Sequence, residues 1–361
     1  MTDVYSVIIL DDDYWDGTES WAGEVSEAAR DTKYSTRRFT SLLAWEADRD
    51  GNAAAADPEI ANIFGPWVSH DTGFIVTINY WTNKPAITIQ TIGTDARSQD
   101  GKYGSNNCYV LENDDVSRCI DINEAGHDIT IIGVQFLVTS TSGDFAIYTN
   151  NAPTLNIHKC YFKESGDGGC KGVQADAALY ITNCIFEDLN RAITGYGTTN
   201  IYNCTVTGGD RSILGMGGTA TAKNCVAFNS NTSDFYSTET IEACASDDGD
   251  DTGTDGIDWD AGATDWAANF TGYATGDFTV KDTDADIYLG SPFSYFDDNL
   301  VPTDDIIGSA RNTGEGESVC IGAYEYYVAP SGWTGKINGV SSPAKINGIA
   351  VADIAKVCGV E

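Results

Sequence analysis

The feature that most constrains this chain is a register of cysteines. Ile157-His-Lys-Cys160-Tyr-Phe162, Ile181-Thr-Asn-Cys184-Ile-Phe186, Ile201-Tyr-Asn-Cys204-Thr-Val206, Ala222-Lys-Asn-Cys225-Val-Ala227 and Ile241-Glu-Ala-Cys244 are copies of one short pattern. An earlier copy, Ile131-Ile-Gly-Val134-Gln-Phe136, carries Val in the cysteine column, and from Val134 onward the intervals are 26, 24, 20, 21 and 19 residues. A second column, Ile120, Ile147, Val173, Ile193, Ile213 and Phe235, advances by 27, 26, 20, 20 and 22. Two columns drifting together at this period, built from short apolar runs and Gly/Asn/Asp turns, specify a solenoid in which each repeat is one coil. Leucine-rich repeats share the period but need a Leu framework and a helix per repeat, and neither is present. The expected fold is therefore all-β, a right-handed parallel β-helix over residues 74–245.

In such a fold successive coils lie about 4.8 Å apart and like side chains stack. Cys160, Cys184, Cys204, Cys225 and Cys244 should form an interior column of small reduced thiols. Zinc is the rival reading, but it favours paired ligands two to four residues apart and no C-x-x-C occurs. Disulfides between coils are conceivable, although stacked residues need not meet the required dihedral. Asn183, Asn203 and Asn224 precede the cysteines and predict an amide ladder that also satisfies turn backbone.

Composition narrows the function classes. The chain has 361 residues, 20 Lys+Arg against 54 Asp+Glu, and a formal net charge of −34. Phosphate backbones and anionic membrane surfaces are repelled by such a surface, so neither nucleic acid nor membrane insertion is expected. The same charge keeps a surface hydrated in salty surroundings. With 42% hydrophobic residues the chain can bury a large core and is no disordered acidic tail. Residues 1–10 lack the cationic and apolar regions of a signal peptide, which points to synthesis in a host cytoplasm. Ten cysteines in a chain this large do not read as a secreted disulfide framework.

Outside the repeat, residues 1–73 read as an N-terminal segment with one helix at Ser41–Arg49, capped by Thr40 or Ser41 and closing the first coil. Phe74–Tyr80 and Ile87–Ile92 alternate like strands of the first coils. Ser246–Asp286 reads as acidic loop, and 246–329 as loop followed by the C-terminal cap of the β-helix. Within it Tyr288-Leu-Gly-Ser-Pro-Phe293, Val301-Pro-Thr-Asp-Asp305-Ile-Ile-Gly308-Ser-Ala-Arg311 and Cys320-Ile-Gly-Ala-Tyr-Glu-Tyr326 resemble the terminal cap of bacterial and phage right-handed β-helix proteins. Phe293 replaces the usual Ala of that pattern and Cys320 the usual Asp, changes that fit packing.

The segment 330–361 carries Lys336-Ile-Asn-Gly-Val340, Lys345-Ile-Asn-Gly-Ile349 and Lys356-Val-Cys-Gly-Val360, read as three brief β-turns. It resembles the tails that end many tailed-phage structural proteins, as Thr40-Ser-Leu-Leu-Ala-Trp-Glu46 resembles phage β-helix proteins. Ile337, Val340, Ile346, Ile349, Val357 and Val360 are apolar residues that so short a segment cannot bury alone, so the tail should dock on other virion proteins or on sister subunits, a trimer being favoured. The resemblance implies a virion structural protein of a tailed virus: a fibre, spike or capsid decoration on the particle surface that offers host glycans a rigid face.

Chemistry is sparsely signalled. Lys171, Arg191 and Arg211 each stand two residues before the second apolar column, with Arg118 at the same offset earlier and Asp167, Asp188 and Asp210 close by. They read either as a salt-bridged stripe or as a groove for an anionic glycan, and in an enzyme alternative as the face of a polysaccharide depolymerase, lyase or glycoside hydrolase. No catalytic residue is assigned, and no cofactor is expected beyond Ca²⁺. Asp247, Asp250, Asp251 and Asp255 are its candidate oxygen ligands, with Asp282, Asp284 and Asp286 a second set, although neither follows an EF-hand spacing. His70, His127 and His158 fall in separate places with no triad around them, His158 as an outward strand residue.

Overall fold

The computed structural model describes residues 4–9, 37–49, 58–65, 67–79, 81, 86–92, 102–104, 108–114, 116–123, 127–139, 143–150, 154–166, 169–249, 252–259, 263–288, 291–292, 303–311 and 318–326, together with four two-residue strands between 336 and 350. It divides into two compact units, 1–325 and 326–361.

The first unit is a parallel β-helix. Three sheets of ten, nine and seven strands run its length, and every pairing within them is parallel. The right-handed sense is the one that parallel crossovers adopt. One coil illustrates the path: Ala178–Thr182 in the first sheet, Ile185–Glu187 in the second, Arg191–Gly195 in the third, then Thr199–Tyr202 one rung further on the first sheet. The second apolar column is in register throughout, from Ile120 through Ile147, Val173, Ile193 and Ile213 to Phe235.

The corner between first and second sheets explains the cysteines. Gly133, Lys159, Asn183, Asn203, Asn224 and Ala243 all have left-handed backbone there, φ between 50° and 72°. Asn adopts this conformation most readily among residues with a side chain, hence the Asn column. The turn brings the next residue inward, and Cys160, Cys184, Cys204, Cys225 and Cys244 are fully buried, free thiols. The backbone N–H of Cys160 donates to the Cys184 sulfur at 3.4 Å, and that of Cys225 to the Cys244 sulfur at 3.4 Å. Each thiol leans back on carbonyls of its own turn and of the preceding coil, as Cys184 does on Thr182 at 3.3 Å and Ile157 at 3.7 Å. A polarisable sulfur thus fills the volume of a small apolar group while accepting from interior N–H groups, as those of Cys160 and Cys225, to which Ala or Val would offer no acceptor. Burial holds the Cys184, Cys204 and Cys244 thiols well above the usual cysteine range.

Beside the thiols Phe136, Phe162 and Phe186 stack face to face, with centroids 4.8 and 4.5 Å apart. At the N-terminal end the helix Leu42–Arg49 continues this core: Leu42 and Trp45 are fully buried, and Trp45 packs on Trp81 at 5.1 Å. Ser41 is the cap, its hydroxyl accepting from the Ala44 N–H, and the Asp71 carboxylate accepts from the Leu42 N–H. Arg49 grips Glu59 with two 3.0 Å hydrogen bonds, fixing the helix to the first sheet.

Three expectations are revised. The coils begin earlier than residue 74, because Val4–Ile9 pairs with Glu59–Phe64 in the first sheet. They also end later than 245: Thr254 bridges Glu242, and Ile257–Asp258 adds a rung to the second sheet. Within the stretch expected as loop, a helix Ala263–Asn269 and an antiparallel pair, Phe270–Gly272 with Asp277–Val280, follow. These elements, with 303–311 and 318–325, lie along the side of the second sheet. Phe228 meets Trp266 and Phe270, each at 5.2 Å; the Gly322 N–H donates to the Asn224 carbonyl; and Arg311 reaches the Asn183 amide oxygen at 3.3 Å. The reason is apolar area: the outward column Gln135, Tyr161, Ile185, Thr205, Val226, Ala245 would otherwise face water, and all six are buried.

In the second unit Ile337 pairs with Val340 and Ile346 with Ile349, two antiparallel pairs with Asn-Gly between the partners. Val357 and Val360 lie outside the described residues.

Candidate glycan-binding face

The third sheet carries the cations identified by their offset. Its pairing places Arg118, Phe145, Lys171, Arg191, Arg211 and Ser233 one above another on the outer side, so Lys171, Arg191 and Arg211 occupy three consecutive rungs and Arg118 is set apart by Phe145. All three are half-buried. Among the described residues the only carboxylate within ion-pair range of the trio is Asp210, 4.0 Å from Arg211. Asp167 lies outside the described residues, and among the described residues the Arg191 and Arg211 Nε groups are buried without a hydrogen-bond partner. Burial, and then the neighbouring Arg191 charge, lower the Lys171 ammonium from its ordinary pKa.

The cations lie over aromatic faces instead. The Lys171 ammonium sits 4.5 Å from the Phe145 ring centre, the Arg211 guanidinium 4.8 Å from Tyr236, and the Arg118 guanidinium 4.0 Å from Tyr148. Arg118 also pairs with Asp121 at 2.7 Å. Just past the strand ends Tyr196 and Met216 are 40% and 42% exposed, and Tyr236 is 43% exposed. Sequence reasoning missed these apolar groups, yet a signal existed: Tyr196 and Met216 each follow their arginine by five residues. The face thus offers cations on one margin and flat apolar groups on the other, a combination suited to the acidic groups and C–H faces of sugars.

The acidic candidates have another use. The third sheet stops at Ser233–Tyr236, leaving backbone donors at its open edge. Asp248 accepts from the Asp234 N–H at 2.7 Å, and Asp247 from the Asn229 N–H at 3.0 Å, standing in for the carbonyls of an absent rung. The Ser246 hydroxyl lies 2.9 Å from both Asp234 and Asp248, and its single proton serves one of them. Burial, reinforced by the Asp248 charge, raises the pKa of Asp234 to about 7. Asp255 is an exposed turn residue with φ 57°, and Asp250 and Asp251 lie outside the described residues. The Asp282 carboxylate accepts from the Asp284 N–H, and Asp286 accepts from Asn269. Among the described residues no group of three or more His, Cys, Asp or Glu is placed to hold a metal.

The asparagine ladder is partial. Asn224 donates to the Asn203 oxygen at 2.7 Å and to the Cys320 carbonyl at 2.9 Å, whereas Asn183 donates to the Asp304 carbonyl at 2.7 Å. Arg311, 5% exposed, also bonds the Glu325 carboxylate and the carbonyls of Cys320 and Gly322, while Asp305 accepts from the Glu325 N–H. Asp305 and Arg311 from one motif and Glu325 from another thereby hold residues 303–325 against the coil corner. His158 faces outward on its strand and bonds Thr182, and burial lowers its pKa.

Comparison with protein-family models, with curated proteins and with solved structures finds no match. No helix among the described residues is long and apolar enough to cross a membrane.

Proposed function

We propose that this chain is a virion structural protein of a tailed virus, a fibre, spike or capsid decoration that displays a rigid β-helix and presents its third face to host-surface glycans. The observation that carries the reading is the division into a long parallel ladder with free interior thiols and a separate small unit of Asn-Gly hairpins. Backbone bonds between coils resist local opening, which suits a particle exposed to shear and proteases, and reduced thiols need no oxidising compartment. In this reading the hairpin unit docks on other virion proteins, and the protein assembles as a homotrimer on the particle surface.

The experiment is quantitative mass spectrometry of purified particles, with light scattering on the isolated protein. A fixed copy number per particle and a trimeric mass are expected. Absence from purified particles overturns the proposal.

A further inference from the structure

We propose that the third face takes a linear acidic polysaccharide lying along the coil axis, with acidic groups of successive sugar residues on Lys171, Arg191 and Arg211. The inference deepens, and rests on, the reading of this face as glycan-binding.

Three observations carry it. The first is charge without compensation. In a chain with 54 acidic residues, three cations occupy consecutive rungs and, among the described residues, share a single carboxylate contact, at 4.0 Å. Stacked like charges repel, and an anion bound on the face relieves that repulsion. The exposed part of the guanidinium fork matches a carboxylate or sulfate.

The second is spacing. Rungs are about 4.8 Å apart, close to the length of one pyranose residue in an extended chain. A polymer that turns acidic groups to one side at this interval engages all three cations, provided that it runs parallel to the axis. A chain crossing the strands would meet one cation only.

The third is the margin. Tyr196 and Met216 follow Arg191 and Arg211 at the same offset, and Tyr236, paired with Leu214 two positions nearer the cation column, lies beneath the Arg211 guanidinium. These exposed side chains give sugar C–H faces apolar surface beside the cations to pack against. The alternative polyanion, single-stranded nucleic acid, needs a basic groove that tracks a long backbone, and the net charge of −34 opposes it beyond these three rungs.

The test is calorimetric titration of the full chain at low salt with galacturonate monomer, dimer, trimer and tetramer. The fully methyl-esterified tetramer, oligomers of alginate, hyaluronate and polysialate, and a thymidine oligonucleotide complete the set. Affinity for at least one acidic series is expected to climb with each added residue up to the trimer and then level off. Esterification should weaken it by about tenfold or more, and raised salt should weaken it as well. Arg191→Gln should lower affinity for acidic oligomers about tenfold with an unchanged circular dichroism spectrum, whereas Tyr196→Ala should weaken acidic and esterified oligomers alike.

Equal binding of the ester and the acid overturns the charge register while sparing the glycan reading. Absence of binding to every oligosaccharide overturns both. Preference for the oligonucleotide, or an affinity that ignores length, overturns the proposal. If Arg191→Gln does not fold, Lys171→Gln at the end of the trio carries the same expectation.

Discussion

Replacing Phe162 with Ala tests the interior where the architecture is most exacting. The ring is fully buried and sandwiched between Phe136 at 4.8 Å and Phe186 at 4.5 Å, with interplanar angles of 4° and 2°. Removing such a side chain from a core that cannot close around the void costs about 3–5 kcal/mol. The two stacking contacts, each worth about 0.5–1.5 kcal/mol beyond buried area, put this site toward the upper end, about 4–5 kcal/mol. The backbone cannot collapse into the gap, because the rungs on both sides are fixed by parallel hydrogen bonds. With a urea slope of about 3 kcal/mol per molar for a chain of this size, the midpoint should fall by roughly 1.5 M. Phe162→Leu, which keeps most of the volume, should cost about 1.5 kcal/mol or less. Urea unfolding followed by far-UV circular dichroism reads both variants. A loss below about 1 kcal/mol for the alanine variant would refute the reasoning, since it would mean that the ring is not enclosed between its neighbours.

Three further outcomes are expected. Arg311→Met leaves Glu325 without its buried partner and should cost about 3–5 kcal/mol, seen as proteolytic cleavage near residues 303–326 before the coils unfold; cleavage no faster than in the wild type would count against the pinning role. Asn224→Ala puts a Cβ-bearing residue without a local acceptor at φ 55° and removes two side-chain hydrogen bonds, a loss of about 2–4 kcal/mol; Asn224→Gly should recover part of it, and equal stability of the two variants would contradict the backbone argument. Asp234 holds a proton in the folded chain up to a pH of about 7, whereas an unfolded Asp releases it near its ordinary value of 3.8. Its contribution is therefore full below that lower value and is lost as pH rises through the interval to 7. Subtracting the pH–stability profile of Asp234→Asn from that of the wild type should leave this downward slope, and a flat difference would refute it.

What was legible in the sequence is what a coil repeats. Cysteine, phenylalanine and isoleucine columns recur because each rung places the same volume over the last, and the Asn column recurs because each corner needs left-handed backbone. The helix at Leu42–Arg49 was legible from apolar spacing and its Ser cap. The lateral cover of the second sheet was not, because 263–325 has no periodicity and its partners are remote in sequence, by 121 residues for Asn183 and Asp304. One trace of it was present: Val226-Ala227-Phe228 is apolar at every position, the mark of a strand buried on both faces. On the third sheet the offset exposed the cations but not which described carboxylates reach them, since Asp188 and Asp210 are both near in sequence and only side-chain direction places Asp210 within range of Arg211.

The most direct measurement is thiol footprinting: alkylation of the native protein, then of the urea-unfolded protein, with each cysteine located by mass spectrometry. A buried column of unbridged thiols predicts that positions 160, 184, 204, 225 and 244 stay unlabelled in the native chain and all five label on unfolding without reductant. Native labelling of any of the five at the unfolded rate, or label appearing only after reduction, would contradict it.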